Sequence, residues 1–64
     1  MTSLVQFRSV GSDGLVKDAV VIDMARVEMV AKDYHWTKIV LFSGERVHVS
    51  GSYESVLAEW KKHR

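Results

Sequence analysis

The sequence predicts an α+β fold, in which a small antiparallel β-meander of four or five short strands carries one C-terminal helix packed on the sheet. Residues 36–49 have the composition of two strands joined by a tight turn, and residues 3–22 have that of another hairpin. Residues 53–60 carry apolar side chains at helical spacing. The 64 residues contain no proline and no linker, so residues 1–64 are predicted to form a single domain.

The N-terminal stretch is predicted to form the first hairpin. Apolar and polar residues mix with strand-like spacing over residues 3–10, and the β-branched run at residues 20–22 favours a second strand. The sequence Gly-Ser-Asp-Gly at residues 11–14 is typical of the turn between them. Residues 23–26, which begin with a good capping residue, are predicted to form a single helical turn or a bulge that redirects the chain.

Residues 27–32 are predicted to form an edge strand or a strand with one wet face, because Val27, Met29 and Ala31 alternate with the other three residues. An amphipathic helix over residues 23–32 also fits the spacing of the apolar residues, and the strand is the favoured interpretation. Residues 33–36 are then the connection to the next strand.

The next strand, residues 37–42, is apolar on both faces. Thr37, Ile39 and Leu41 share one face, and the residues between them share the other. Strands with one solvated face alternate polar and apolar residues, so this strand is predicted to be covered on both sides. One short helix covers only one face. The second face is therefore expected to meet another copy or another protein, unless the N-terminal segment folds over it. The residues predicted to make that contact are Lys38, Val40, Phe42 and Val30.

Ser43–Gly44 is predicted to supply the turn into the last strand, at residues 45–49, with Phe42 near Glu45 and Val40 near Val47 as one possible register. Ser52 is a suitable N-cap for the helix that follows. The stripe expected to face the sheet consists of Tyr53, Val56, Leu57 and Trp60.

Composition narrows the classes of function. The chain has no cysteine, which excludes disulfides and zinc sites built on thiolates. A chain this short is marginally stable alone, and small proteins without disulfides or structural metal sites often oligomerise. The sequence shows no apolar run long enough to span a bilayer and no secretory signal, so no membrane partner is predicted and a cytoplasmic location is expected.

No pattern in the sequence indicates catalysis. The three histidines are far apart, and no phosphate-binding loop, nucleophile elbow or dinucleotide fingerprint is present. We therefore predict that the chain is not an enzyme and uses no cofactor and no metal ion.

Aromatic and basic residues do cluster around one end of the second hairpin, and small sheets hold single-stranded nucleic acid with such mixtures. The candidate residues are Tyr34, Trp36, Lys38 and Arg46. The formal net charge of +1 disfavours this interpretation, because affinity for nucleic acid depends mainly on cations.

Residues 20–60 resemble the small FlbD/SwrD-type flagellar proteins of bacteria. The similarity rests on the corner Asp-Met-Ala-Arg-Val at residues 23–27, the turn Ser-Gly-Glu at residues 43–45 and the helix start Ser-Tyr-Glu-Ser-Val at residues 52–56. The resemblance implies a non-catalytic cytoplasmic accessory protein for motility and supplies no catalytic residue.

Together these features predict a small non-catalytic protein-interaction module that associates with itself through its β-sheet or binds a protein partner. The alternatives are a nucleic-acid-binding regulator, an inhibitor protein from a phage or mobile element, and a flagellar accessory protein.

Overall fold

The computed structural model describes residues 3–63 and contains the predicted five-stranded antiparallel sheet with one C-terminal helix. The elements are β1 (Leu4–Val10), β2 (Val16–Asp23), β3 (Val27–Asp33), β4 (Trp36–Leu41), β5 (Arg46–Val49) and α1 (Tyr53–Lys62). Met1, Thr2 and Arg64, which the predicted domain includes, lie outside the described residues. The strands are ordered β2-β1-β5-β4-β3, so the first hairpin (β1 and β2) is attached to the last strand of the meander (β3, β4 and β5).

The first hairpin forms where it was predicted. Gly14 adopts a φ of 80° in its turn, which suits a residue without Cβ. The register of the two strands changes along the hairpin, because Arg8 lies opposite Ala19 whereas Val10 lies opposite Val16. Two residues of β1 therefore span three of β2, and β2 carries a β-bulge at residues 17–18.

The corner after β2 is a 3-10 turn, Met24–Arg26, as the capping residue before it indicated. Asp23 accepts hydrogen bonds from the Ser3 hydroxyl and, over 3.1 Å, from the backbone N–H of Ala25. Met24 is 1% exposed. The corner therefore turns the chain and also contributes a side chain to the core.

Asp23 is expected to make stability depend on pH at the acid end. The Ser3 hydroxyl, the Ala25 N–H and the nearby Arg26 lower the pKa of this carboxyl from its usual value of 3.8. A pKa lowered by folding means that the folded state binds the proton more weakly than the unfolded state. The stabilisation is thus complete above the usual carboxyl pKa and is lost as pH falls through the lowered folded value.

Urea unfolding measured as a function of pH tests this expectation. Asp23→Asn should flatten the loss of stability at acid pH relative to the wild type. An Asp23→Asn profile that superimposes on the wild type would contradict the assignment.

Residues 27–32 form a strand at the edge of the sheet, and the helical alternative is wrong. The predicted alternation of faces is also wrong in part. Val27 lies opposite Leu41 and Met29 lies opposite Val40, so a bulge places one extra residue, Glu28, in β3. As a result Val27 and Val30 both face the core, at 3% and 7% exposed, while Met29 is 44% exposed.

The second hairpin has the predicted strands and a turn in which Gly44 adopts a φ of 93°. The register differs by one residue from the possibility given above, because Val40 lies opposite Arg46 and Ile39 lies opposite Val47. Phe42 leaves β4 and donates its N–H to the Arg26 carbonyl over 3.0 Å. That bond ties the turn to the corner before β3.

Helix α1 begins at the predicted cap, where the Ser52 hydroxyl accepts the N–H of Ser55 over 3.2 Å. It packs against β3, β4 and the 3-10 turn, with Val56 at 1% exposed. The Thr37 hydroxyl, buried in the middle of the protein, donates to the Gly51 carbonyl over 2.8 Å and so fixes the chain just before the helix. The buried apolar cluster between helix and sheet consists of Ile22, Met24, Val27, Val30, Ile39, Val49 and Val56.

The first hairpin joins the meander through few contacts. Ser9 of β1 pairs with Val49 of β5. Next to this pair, the Ser50 N–H donates to the Arg8 carbonyl over 3.0 Å. The tip of the hairpin reaches Trp36, because a Cβ at Gly14 would lie 3.6 Å from Cζ2 of the indole. The tip therefore covers one end of the meander.

Candidate interaction surfaces

One face of the meander carries most of the residues that the sequence singled out. The alternation along β4 and its register with β5 place Trp36, Lys38 and Val40 on the same face as Arg46 and His48. Ile39 and Val49, on the opposite face, belong to the core beneath the helix. We call the face that carries Trp36, Lys38, Val40, Arg46 and His48 the open face.

The four predicted contact residues differ in how accessible they are. Phe42, in the turn after β4, is 69% exposed, and Lys38 is half-buried. Val40 is only 8% exposed. Val30 lies in the core at 7% exposed, because the bulge in β3 turns it towards the helix. Phe42 is therefore the predicted contact residue that projects furthest into solvent.

Val40 is shielded without a second layer of protein. It lies on the central strand of the meander, directly opposite Met29 on β3 and Arg46 on β5. Side chains directly opposite on neighbouring antiparallel strands are about 5 Å apart at Cβ, so long side chains on both sides can cover a valine between them. The tip of the first hairpin covers the Trp36 end of the same face. The apolar pattern of β4 thus requires less external cover than its sequence indicates.

The four nucleic-acid candidates fall into two groups. Trp36, Lys38 and Arg46 belong to the open face. Tyr34 lies apart from them in the turn between β3 and β4, with a φ of 56° and 87% of its surface exposed. The structure therefore brings together one aromatic ring and two cations, and leaves the ring of Tyr34 in the turn at the end of the sheet.

Trp36 separates two shallow clefts. One, of about 300 Å³, lies between the tip of the first hairpin and His48. The other, of about 270 Å³, lies towards the start of the helix and includes Tyr34 and Tyr53. The His35 ring meets the indole edge-on, with 6.3 Å between centroids. Both sides of this tryptophan are thus within reach of a small planar group.

His48 is held by Asp33 across the intervening strand, with 2.9 Å between Nε2 and Oδ2. This pair ties β5 to the end of β3 on the open face. Ser12 lines the same cleft as His48, but within residues 3–63 no hydrogen bond joins the two. The part of the chain that the structure describes also contains no cluster of three or more His, Asp or Glu side chains that could hold a metal ion. The observed arrangement therefore orients His48 against the carboxylate of Asp33.

A second surface, on the first hairpin, was not identified from the sequence. Four of the seven large apolar side chains that are exposed in residues 3–63 lie on it or beside its turn: Leu4, Leu15, Val16 and Val21. Their spacing correctly indicated strands, but a strand pattern alone does not show whether the strand is central or at an edge. This apolar surface can be identified only when the strand order is known, because the strand order places β2 at the edge of the sheet.

Comparison with protein-family models, with curated proteins and with solved structures yields no match. The resemblance to flagellar proteins therefore stays a prediction. No helix among the described residues is long and apolar enough to cross a membrane.

Proposed function

We propose that the chain is a small non-catalytic interaction module that associates with itself through its β-sheet. The observation that supports this function best is the apolar surface of the first hairpin. Leu4 and Val21 are 58% and 62% exposed, and the register makes them diagonal neighbours, because Leu4 lies opposite Asp23 and Gln6 lies opposite Val21. Contiguous exposed apolar side chains on a small protein mark surfaces that bind other proteins.

The size of the chain supports the same function. A domain of 64 residues buries only about 60% of the surface that its unfolded chain exposes, so contact with a second copy would add stability that the isolated fold lacks. Two further exposed apolar side chains lie elsewhere, Met29 on the edge strand β3 and Phe42 in the turn after β4. Lys38 lies beside Val40 on the open face. Met29 and Phe42 are also available for contact, and the first hairpin offers the larger number of exposed apolar side chains.

Light scattering on a dilution series measures this association directly. The mass should rise from the 7.3 kDa of the monomer towards twice that value as the concentration reaches the high micromolar range. Val21→Ser should weaken the association more than Phe42→Ser, although both residues are similarly exposed. A protein that stays monomeric at high micromolar concentration would contradict self-association.

Single-stranded nucleic acid is the second candidate ligand, and the open face favours it. Trp36 offers an aromatic ring beside Lys38 and Arg46, and proteins that hold single strands combine stacking platforms with cations in this way. The indole borders clefts on both sides, so a base could reach it. This function would not use Leu4 or Val21, the exposed apolar residues of the first hairpin.

Binding of a fluorescent oligonucleotide at several salt concentrations tests this candidate. Lys38→Ala and Arg46→Ala should each reduce the slope of log K against log salt by about 1, whereas Lys61→Ala on the helix should leave it unchanged. Absence of binding at low salt would remove the candidate.

A further inference from the structure

We infer that two copies associate by pairing their β2 strands antiparallel, with the two-fold axis at Val20, so that the two sheets become one continuous sheet. This inference rests on the proposed self-association and specifies its surface. It is argued from the backbone of β2, from the other edge of the sheet and from the charges along the strand.

The backbone of β2 has unpaired groups at defined positions. The Met24 N–H donates to the Ser3 carbonyl over 3.0 Å, so this pair is of the hydrogen-bonded type. Hydrogen-bonded and non-hydrogen-bonded pairs alternate along an antiparallel ladder. Ile22 opposite Val5 and Val20 opposite Phe7 are then hydrogen-bonded to β1. The N–H and C=O groups of Ala19 and Val21 point away from β1, towards the free edge.

The bulge restricts where a second strand can pair. At residues 17–18 the carbonyls are directed towards β1, where the Asp18 carbonyl accepts from the Ser9 hydroxyl over 3.0 Å and the Lys17 carbonyl accepts from Arg8 over 3.5 Å. The regular part of the edge is therefore the segment of residues 19–23. This segment carries no charge between Ala19 and Ile22.

The opposite edge is less suited to pairing. In β3 the bulge at Glu28 interrupts the ladder, and the charged residues Glu28, Lys32 and Asp33 are distributed along a strand of seven residues. Bulges and charged side chains are the devices by which natural proteins keep edge strands from pairing with other chains. Residues 19–22 of β2 lack both devices.

Charge selects the register. With the axis at Val20, Ala19 of one copy pairs with Val21 of the other, so the N–H and C=O groups of these two residues find partners in each copy. The same register brings Lys17 near Asp23 of the second copy. The nearest alternative that keeps edge-facing groups opposite each other moves the axis by one residue, to Val21. That register would place Asp23 opposite Ala19 and away from Lys17. In the favoured register the small side chain of Ala19 also lies beside the exposed Val21.

Disulfide trapping tests the register, because the chain has no cysteine of its own. In Val20→Cys the two thiols would face each other across the axis in a non-hydrogen-bonded pair, where the Cα atoms are about 4.5 Å apart and a disulfide can form. Under mild oxidation Val20→Cys should form a covalent dimer at least about tenfold faster than Phe42→Cys, because only the former thiol is held beside its equivalent. Phe42→Cys is the matched control, since its thiol lies at another exposed apolar position.

A second pair of variants avoids changing the half-buried Val20. Gln6 and Val21 lie opposite each other and are both exposed, but only Val21 belongs to the edge strand. Val21→Lys should raise the dissociation constant of the dimer by about tenfold or more, whereas Gln6→Lys should leave it unchanged.

The outcomes distinguish this inference from the function on which it rests. A wild-type protein that dimerises while Val20→Cys fails to cross-link, or while Phe42→Cys cross-links as fast, would overturn the β2 pairing and keep self-association. A wild-type protein that is monomeric throughout would overturn both.

Discussion

Replacing Ile39 by alanine is expected to lower the free energy of unfolding by about 2–5 kcal/mol, because the substitution removes a fully buried side chain and leaves a cavity. Ile39 is 0% exposed and lies on the central strand of the meander, opposite Val30 on β3 and Val47 on β5. Helix α1 packs over the same region. The surrounding backbone belongs to the ladder on both sides, so the site has little freedom to collapse.

This loss is large compared with the total free energy of unfolding expected for a domain of this size. At about 0.05–0.15 kcal/mol per residue, 64 residues provide about 3–10 kcal/mol in total. The variant should therefore be partly or wholly unfolded at room temperature, which circular dichroism and urea titration would show. Ile39→Val should cost about 0.5–1.5 kcal/mol. Phe42→Ala, in the turn after the same strand, should stay within about 0.5 kcal/mol of the wild type because Phe42 is largely exposed.

A stability of Ile39→Ala within about 0.5 kcal/mol of the wild type would contradict the packing described for the meander. A large loss in both variants would instead show that the phenyl ring of Phe42 is covered in solution, as contact with a second copy would cause. Measuring both variants at two protein concentrations separates these cases, because only association depends on concentration.

Met24→Ala is expected to have the second-largest effect, a loss of about 2–5 kcal/mol. Met24 is 1% exposed and is the buried residue of the 3-10 turn, where the first hairpin passes into the meander. Its side chain packs in the same cluster as Ile22 of β2, Val27 of β3 and Val56 of the helix. Removing it should therefore loosen the contact between the two parts of the sheet.

Met29→Ala provides the matched control, because it is the same chemical change five residues away at a site that is 44% exposed. Its cost should be well below that of Met24→Ala, and urea unfolding of the two variants side by side gives the difference. Similar losses would mean that the bulge in β3 does not turn Met29 outwards as the register states.

Local patterns in the sequence predict the elements of this fold. The stripe of residues 53–60, with Ser52 as cap, specifies the helix, because cap and periodicity act over a few neighbouring residues. Gly14 and Gly44 mark turns for the same reason, since each adopts a positive φ that other residues adopt less readily.

Features that depend on distant residues were predicted less well. The bulge at Glu28 exchanges the faces of β3, and the shifted register of β4 with β5 follows from bonds made in the turn, so neither is visible in alternation alone. The contact of Gly14 with Trp36 joins residues 22 positions apart and has no local signature.

The candidate site shows the same difference between features set by local sequence and features that depend on distant residues. Placing Lys38 and Val40 on one face required only the alternation of a strand. Val40 is only 8% exposed and lies opposite Met29 and Arg46, which the chain brings from two other strands. The free backbone groups of β2 could not be predicted at all, because they depend on which strand ends the sheet.

The pairing of Ser9 with Val49 has a consequence for the order of folding. These residues are 40 positions apart, so forming the pair closes a long loop, and the entropy lost is recovered only when both partners are already ordered. Each hairpin, by contrast, forms between neighbours in the chain. We therefore expect the two hairpins to form first and to join at this pair late, which in a nascent chain requires residue 49 to have been synthesised.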